Sequence, residues 1–338
     1  MFPFLSEGNN IGVRHAGRSF DDQTEGRQDA MIWNVIFPVE RTVLLPQAFN
    51  ADTMLPFLSQ VIDEQRNARC SKVVFDFARL SFVEPVGVVV LSNVIEYFRL
   101  LKCKVAFKNH SSQTAGTRFL DDSLFFERYL GKKLFGAGTP RSTTIPLNLI
   151  HSERAQEYLL KTVMPWVGGS VGMTPESLAG VRVSLEEVLH NVRDHSGVQI
   201  GCTFVQHFPN KNRIQIAISD FGAGIPNVVR TKRPEISDPA ALRLACQEGF
   251  TTQSNVQNRG AGLPTLIKYV TQNNGGNVLI AAGYGALSVA PTPAGPHPYK
   301  ITTRTADGFY PGTLVRVILR TDTLERAAGD ALVEPFEW

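Results

Sequence analysis

The chain has 338 residues, 43% of them hydrophobic and 19% charged, the proportions of a globular protein with room for two domains. Its net charge of +3 is small and scattered, so no nucleic-acid surface is expected, and no apolar run approaches the ~20 residues of a membrane span. The opening Met1-Phe2-Pro3-Phe4-Leu5 lacks a basic stretch and a long apolar core, so no secretory signal is expected, and Cys70, Cys103, Cys202 and Cys246 share no metal-ligand spacing, the pattern of buried free thiols in a reducing cytoplasm.

In chain order, residues 6–30 are polar with little periodicity and predict a loose N-terminal segment. From residue 31 the pattern alternates. Trp33 to Val39 reads as a strand, and Asp52 to Arg66 carries Leu55, Leu58, Val61 and Ile62 at helical spacing. Val73 to Phe77 is a short apolar strand, Val86 to Leu101 an apolar-faced helix, and Val105 to Phe107 the start of another strand. Strands separated by helices of this length imply a sheet with crossover helices. The stretch from Gly131 to Ser142 has the composition of a connecting loop.

A second unit follows. Glu153 to Trp166 and Pro175 to His195 predict helices, the latter with Thr174 as N-cap and Pro175 in its first turn. Gln199 to His207 and Arg213 to Ser219 alternate as strands about a turn at Pro209–Asn212. Pro239 to Gln247 and Leu263 to Gln272 are helical, with a stop at Asn273-Asn274-Gly275-Gly276. Val278 to Ala282, Tyr299 to Thr303 and Thr313 to Arg320 predict strands, with a Pro-rich loop over 291–298. The boundaries are thus 1–30 for the loose segment, 31–140 and 141–325 for two α/β domains, and 326–338 for a tail.

Three segments of the second unit carry chemistry. On the helix ending at His195, Glu187, Asn191 and His195 fall at i, i+4 and i+8 and share one face. The Asn191 carboxamide oxygen is a hard ligand suited to Mg²⁺, and Glu187, one turn earlier, is placed to hold or deprotonate an attacking water or hydroxyl. The apolar strand Ile214 to Ile218 runs into Asp220, whose carboxylate can accept a hydrogen bond from an exocyclic amine such as the adenine 6-amino group. Gly222 and Gly224 then allow close backbone approach, followed by Ile225-Pro226. Finally, Arg259-Gly260-Ala261-Gly262-Leu263 opens a helix, and a glycine loop at a helix N-terminus offers N–H groups and a positive dipole end to phosphate. Thr251, Thr252 and Ser254 could add hydroxyl contacts, and the long polar stretch between Asn227 and Asn258 suits a lid.

Taken together these segments resemble the GHKL superfamily of ATPases and kinases, over residues 150–322. Glu187 and Asn191 match its N box, Asp220 to Gly224 its first glycine box, Gly260 to Leu263 its second, and Gly312-Thr313 its closing element. The resemblance implies ATP with Mg²⁺, the metal on Asn191 and adenine on Asp220, in a two-layer sandwich of helices on a mixed sheet (the Bergerat-type arrangement). The Glu187/Asn191/His195 spacing is most similar to the anti-sigma-factor serine kinases. In the first unit, Val74-Phe75-Asp76-Phe77 and Ser81-Phe82-Val83-Glu84-Pro85-Val86-Gly87 before an apolar helix resemble the STAS domain of anti-sigma-factor antagonists, although Pro85 stands where those domains place a phosphorylatable serine.

The function expected is therefore a cytoplasmic regulatory ATP-binding protein, a Mg²⁺-dependent ATPase or serine/threonine-type protein kinase. The alternative is a non-catalytic ATP-gated switch that controls a partner. The expected partner is a regulatory protein, sigma-factor-like or antagonist-like. Nucleic acid and membrane are not expected, and a homodimer is compatible with the resemblance. A chaperone- or topoisomerase-like machine ranks lower, because no transducer domain is read.

Overall fold

A computed structural model describes residues 40–136, 138–151, 154–195, 200–251, 262–292 and 298–324. The architecture is α/β. No helix among the described residues is long and apolar enough to cross a membrane.

The front half builds a three-stranded parallel sheet from β1 (Glu40–Leu44), β3 (Lys72–Asp76) and β5 (Lys104–Lys108), in the order β1-β3-β5. A short parallel pair, β2 (Ala48–Phe49) with β4 (Phe82–Val83), lies apart from it in the hydrogen-bonding pattern. Between β4 and β5 runs α2 (Pro85–Leu100), opening with Pro85 at the first helical position. The predicted strand Trp33–Val39 lies outside the described residues.

The periodicity of Leu55, Leu58, Val61 and Ile62 correctly marks a buried face, since all four are buried. The helix itself, α1 (Met54–Leu58), is shorter than predicted. After Leu58 the chain tightens into turns and reverses: Asp63 N–H donates to the Asn67 carbonyl at 3.0 Å, and Ile62 bridges back to Ala68. Two helices, α3 (Ala115–Asp122) and α4 (Phe125–Leu130), occupy a stretch in which no element is predicted.

The rear half is a five-stranded sheet of β6 (Thr144–His151), β7 (Ile200–Phe208), β8 (Arg213–Asp220), β9 (Asn277–Pro291) and β10 (Tyr299–Arg320), in the order β6-β7-β8-β10-β9. Every pairing in it is antiparallel, which corrects the expected mixed sheet. The cause is local. The tight turn at Pro209–Asn212 folds β7 back on β8, and β9 returns directly as β10. The strands predicted at Tyr299–Thr303 and Thr313–Arg320 are one long strand, interrupted by register shifts between Thr305 and Leu314.

Helices cover one face of this sheet: α5 (Ala155–Tyr158), a π-turn over Leu159–Val163, α6 (Met164–Val171), α7 (Ala179–His195) and α10 (Gly262–Ile267), which runs on into a second π-turn over Lys268–Asn273. Helix α7 begins at Ala179, later than Pro175. Thr174 Oγ1 still receives the Ser177 N–H at 3.5 Å, so its capping role falls on the turn ahead of the helix. Between the sheet strands, α8 (Ile225–Arg230) and α9 (Asp238–Ala245) occupy much of the stretch read as a lid. Asp238 pairs with Arg230 and accepts the Tyr284 N–H at 2.6 Å, which ties α9 to β9.

The opposite face of the five-stranded sheet is covered by the front half. Helix α2 is buried on all sides, from Pro85 through Ile95 and at Phe98. Its surroundings include Val73 and Phe75 of the front sheet, Phe77 just after it, and Cys202, Phe204, Ala217 and Leu314 of the rear one, in one continuous core. A helix apolar all round belongs between two layers, and this one lies there. Its polar residues find partners across the junction. Asn93 Nδ2 donates to Ser219 Oγ at 2.6 Å, and Ser92 Oγ lies 3.2 Å from Cys202 Sγ. Cys70, Cys202 and Cys246 are buried and free, whereas the free Cys103 is partly exposed.

Because the core is continuous, the front and rear halves should unfold together. Asn93→Ala removes a buried donor and should lower the unfolding free energy by about 1–3 kcal/mol. Urea denaturation followed by far-ultraviolet circular dichroism should show one transition shifted as a whole; two separate transitions would contradict the shared core.

Candidate functional site

Strand β8 is read from both faces. Its two-residue period sends Ile214, Ile216 and Ile218 into the core shared with α7 and α10, and Ala217 and Phe221 into the core shared with α2. Ser219 follows the α2 side, where Asn93 meets it. Asp220, the next residue along, therefore belongs to the helical side. The carboxylate singled out in the sequence stands at the end of a central strand, on the face that carries α7.

Asp220 is 3% exposed. Its Oδ1 accepts the Gly222 N–H at 2.7 Å, and Thr313 lies directly opposite it in the β8–β10 register. Burial pushes its carboxyl up to about 7, while the Gly222 N–H, the positive charge of Arg66 and the Thr313 backbone act in the opposite direction. A carboxylate offers about four lone-pair sites, so two backbone donors leave capacity for a further one.

The turn after Asp220 packs against β10 through paired glycines. A Cβ on Gly312 would stand 2.2 Å from the Asp220 carbonyl oxygen and 2.6 Å from the Phe221 Cα. Gly224 has φ +79°, a left-handed conformation that L side chains rarely adopt, and faces the Gly312 carbonyl at 3.0 Å from its own Cβ position. Ile225 then begins α8, with Pro226 in the first turn. Asp220, Gly222, Gly224, Ile225 and Thr313 are thus brought together in one place.

Helix α7 extends unbroken through Glu187, Asn191 and His195, so their spacing along one face holds for the backbone. Their side chains lie outside the described residues. Helix α10 starts at Gly262, and Leu263 is buried in the core that also holds Leu185, Val188 and Leu189 of α7. Arg259 and Gly260, with Thr252 and Ser254, lie outside the described residues. Glu186, the neighbour of Glu187, is half-buried and bonded to Arg182 Nη1 at 2.9 Å. Among the described residues no group of three or more His, Cys, Asp or Glu is placed to hold a metal.

The sequence reading missed the front-half residues around this turn. Arg66 Nη2 donates to the Phe221 carbonyl at 2.6 Å across 155 positions of sequence. Tyr97 of α2 sets its ring edge-on to Phe221 at 5.7 Å, and Phe221 in turn meets Tyr310 at 5.6 Å. No local pattern marks Arg66. The available signal was the uniform apolarity of α2, which called for a second layer against it.

No family model matches the sequence, and no curated protein matches it. The solved structure of the ATPase region of Saccharomyces cerevisiae topoisomerase II is similar to it with a TM-score of 0.22 and 14% identity, over 37% of this chain and 34% of that one. The chain thus spans about a third of the length of the structure it matches, a likeness too slight to assign a fold.

The raised Asp220 has a stability consequence. An acid whose folded value lies near 7 and whose unfolded value lies near 3.8 retains its proton on folding, so stability should fall as pH rises from about 4 to 7 and then level off. Each unit is worth about 1.4 kcal/mol, so the penalty at pH 8 is on the order of a few kcal/mol. Asp220→Asn should therefore melt higher than the wild type at pH 8, with the gap closing toward pH 5. A gap independent of pH would show that the carboxylate is not desolvated as described.

Proposed function

We propose that the rear half is a GHKL-type ATP-binding unit and that the protein is a cytoplasmic regulatory ATPase or serine/threonine-type kinase similar to the anti-sigma-factor kinases. The observation that carries the reading is the buried Asp220 carboxylate at a strand end, held by backbone donors and wrapped by Gly222, Gly224 and Gly312, on the face that carries α7. A buried acid kept near neutrality with spare acceptor capacity suits recognition of an exocyclic amine, and adenine presents one.

In this reading Asp220 accepts from the base, and the Gly260–Gly262 loop and Arg259 receive the phosphates. Asn191 would hold Mg²⁺, which supplies charge neutralisation to the phosphate oxygens when bound. Glu187 takes the proton of the attacking water or hydroxyl. The front half is read as STAS-like, a docking module for a sigma-factor-like or antagonist-like partner.

A second reading, the non-catalytic ATP-gated switch, draws support from one contact. Arg66 of the front half grips the same turn that carries Asp220, so a ligand there and the front half share a structural element. Lid or turn closure on nucleotide would then alter partner binding without phosphoryl transfer.

Calorimetric titration with ATP tests the common part. Wild type should bind ATP more tightly with Mg²⁺ than without, and Asn191→Ala should lose most of that difference. Asp220→Asn should weaken ATP whether or not metal is present. Absence of ATP binding by the folded wild type would overturn both readings. Hydrolysis or transfer from labelled ATP separates them: Glu187→Ala should lower turnover ~10²-fold or more if Glu187 is the base, whereas a switch keeps its partner response in that variant.

A further inference from the structure

The peptide unit between Phe221 and Gly222 is held at both ends. Its N–H, from Gly222, donates to Asp220 Oδ1 at 2.7 Å, and its carbonyl, from Phe221, accepts from Arg66 Nη2 at 2.6 Å. A peptide is planar and conjugated, so a cation at its oxygen polarises the whole unit and strengthens its N–H as a donor. Arg66, one rigid peptide and the Asp220 carboxylate form a line of charge-assisted hydrogen bonds.

Arg66 is itself held in place for this contact. It sits at φ +68° in the reversal after α1, where its N–H donates to the Asp63 carbonyl at 3.0 Å. Its own carbonyl accepts the Tyr97 hydroxyl at 2.7 Å. Around it, Asn67 N–H reaches Asp63 Oδ1 at 2.7 Å and Arg69 N–H reaches the Val61 carbonyl at 2.9 Å. A non-glycine residue in the left-handed region costs energy that the surroundings must offset. The buried Arg66 Nε has no hydrogen-bond partner among the described residues, a further cost.

We propose that Arg66 is a positioning residue for base recognition: by gripping the Phe221 carbonyl it fixes the Phe221–Gly222 peptide, and through it the orientation in which Asp220 meets an exocyclic amine. The inference rests on the reading of Asp220 as the base contact. It makes the front half part of the nucleotide site's selectivity, through one side chain. Independently of geometry, the Arg66 charge favours the ionised carboxylate.

Selectivity is the readout, because adenine presents an amine at the position where guanine presents an oxygen acceptor. ATP and GTP affinities are measured by calorimetry at pH 8 with Mg²⁺, for wild type, Arg66→Gln, Arg66→Lys, Tyr97→Phe and Asp220→Asn. Arg66→Gln should weaken ATP roughly tenfold, the scale of one lost charged hydrogen bond, and leave GTP nearly unchanged. The ATP-to-GTP preference then falls by about the same factor. Arg66→Lys, which keeps the cation, should restore most of the preference. Tyr97→Phe releases the Arg66 backbone without touching its side chain and should lower the preference by a smaller factor, which decides the matter if Arg66→Gln does not fold. Equal losses for ATP and GTP, or an unchanged preference in folded Arg66→Gln, would overturn the proposal while wild-type ATP binding stands. Failure of the wild type to bind ATP, or normal ATP binding by Asp220→Asn, would overturn it together with the assignment of Asp220.

Discussion

Removing the Asp220 carboxylate from water is the constraint around which the rest of the structure is arranged. A buried carboxylate is costly unless donors surround it, and side-chain donors would occupy the space a ligand needs. The fold uses backbone instead: the Gly222 N–H from the turn and the Thr313 backbone from the opposed strand. The turn that carries Gly222 also packs closely on β10, and glycines make that approach possible. Gly312 has no room for a Cβ against the Asp220 carbonyl, and Gly224 takes a left-handed conformation against Gly312. The glycines at these positions, the register of β10 on β8 and the Arg66 contact all surround this one buried acid.

The second structural commitment is α2. Most helices in a layered α/β protein face a sheet on one side and solvent on the other. This one faces a parallel sheet on one side and an antiparallel sheet on the other, and its buried polar residues bond across the junction. Ser219 and Asp220 are neighbours in β8 yet serve opposite faces, Ser219 meeting Asn93 of α2 and Asp220 lying on the side of α7. The Ser219–Tyr310 hydroxyl contact and the Tyr97–Phe221–Tyr310 ring series extend that packing around the end of β8. The strand end is immobilised from behind by the front half, so the candidate site rests on the whole molecule rather than on the rear half alone.

What could be read from sequence follows from the range of the interactions involved. The period-two pattern of Ile214, Ile216 and Ile218 located β8, and the run from Val86 to Leu101 located α2, because burial on a regular element imprints a regular pattern. The early end of α1 was hidden for a related reason. Leu55, Leu58, Val61 and Ile62 are all buried, but the last two reach the core from turns that happen to keep helical spacing. The break in β10 was misread because Gly308 and Gly312 resemble loop residues, whereas bulges absorb them within one strand. Sheet direction could not be read from the motifs. Short connections fix it for β7–β8 and β9–β10, and the one at Pro209–Asn212 was the available clue. Of the candidate site, Asp220, Gly222, Gly224, Ile225 and Thr313 lie close together around the end of β8. Arg66 escaped because its partner is 155 positions away, and a single side chain on a long-range contact leaves no local periodicity.

The strength of the Arg66 contact limits what the front half could transmit through it. A hydrogen bond to a charged group contributes about 1.5–3 kcal/mol, which corresponds to a change in affinity of roughly ten- to 150-fold. Driving a two-state equilibrium from one extreme to the other needs about 5.5 kcal/mol of differential binding. One arginine on one carbonyl falls short of that, and pairing with β7 and β10 on both sides holds β8 in place. In the proposed reading, this contact lets the front half tune how well a nucleotide is held and distinguished. In that reading an all-or-none response would require the front half to separate from the sheet, at the expense of the core that α2 shares with both layers.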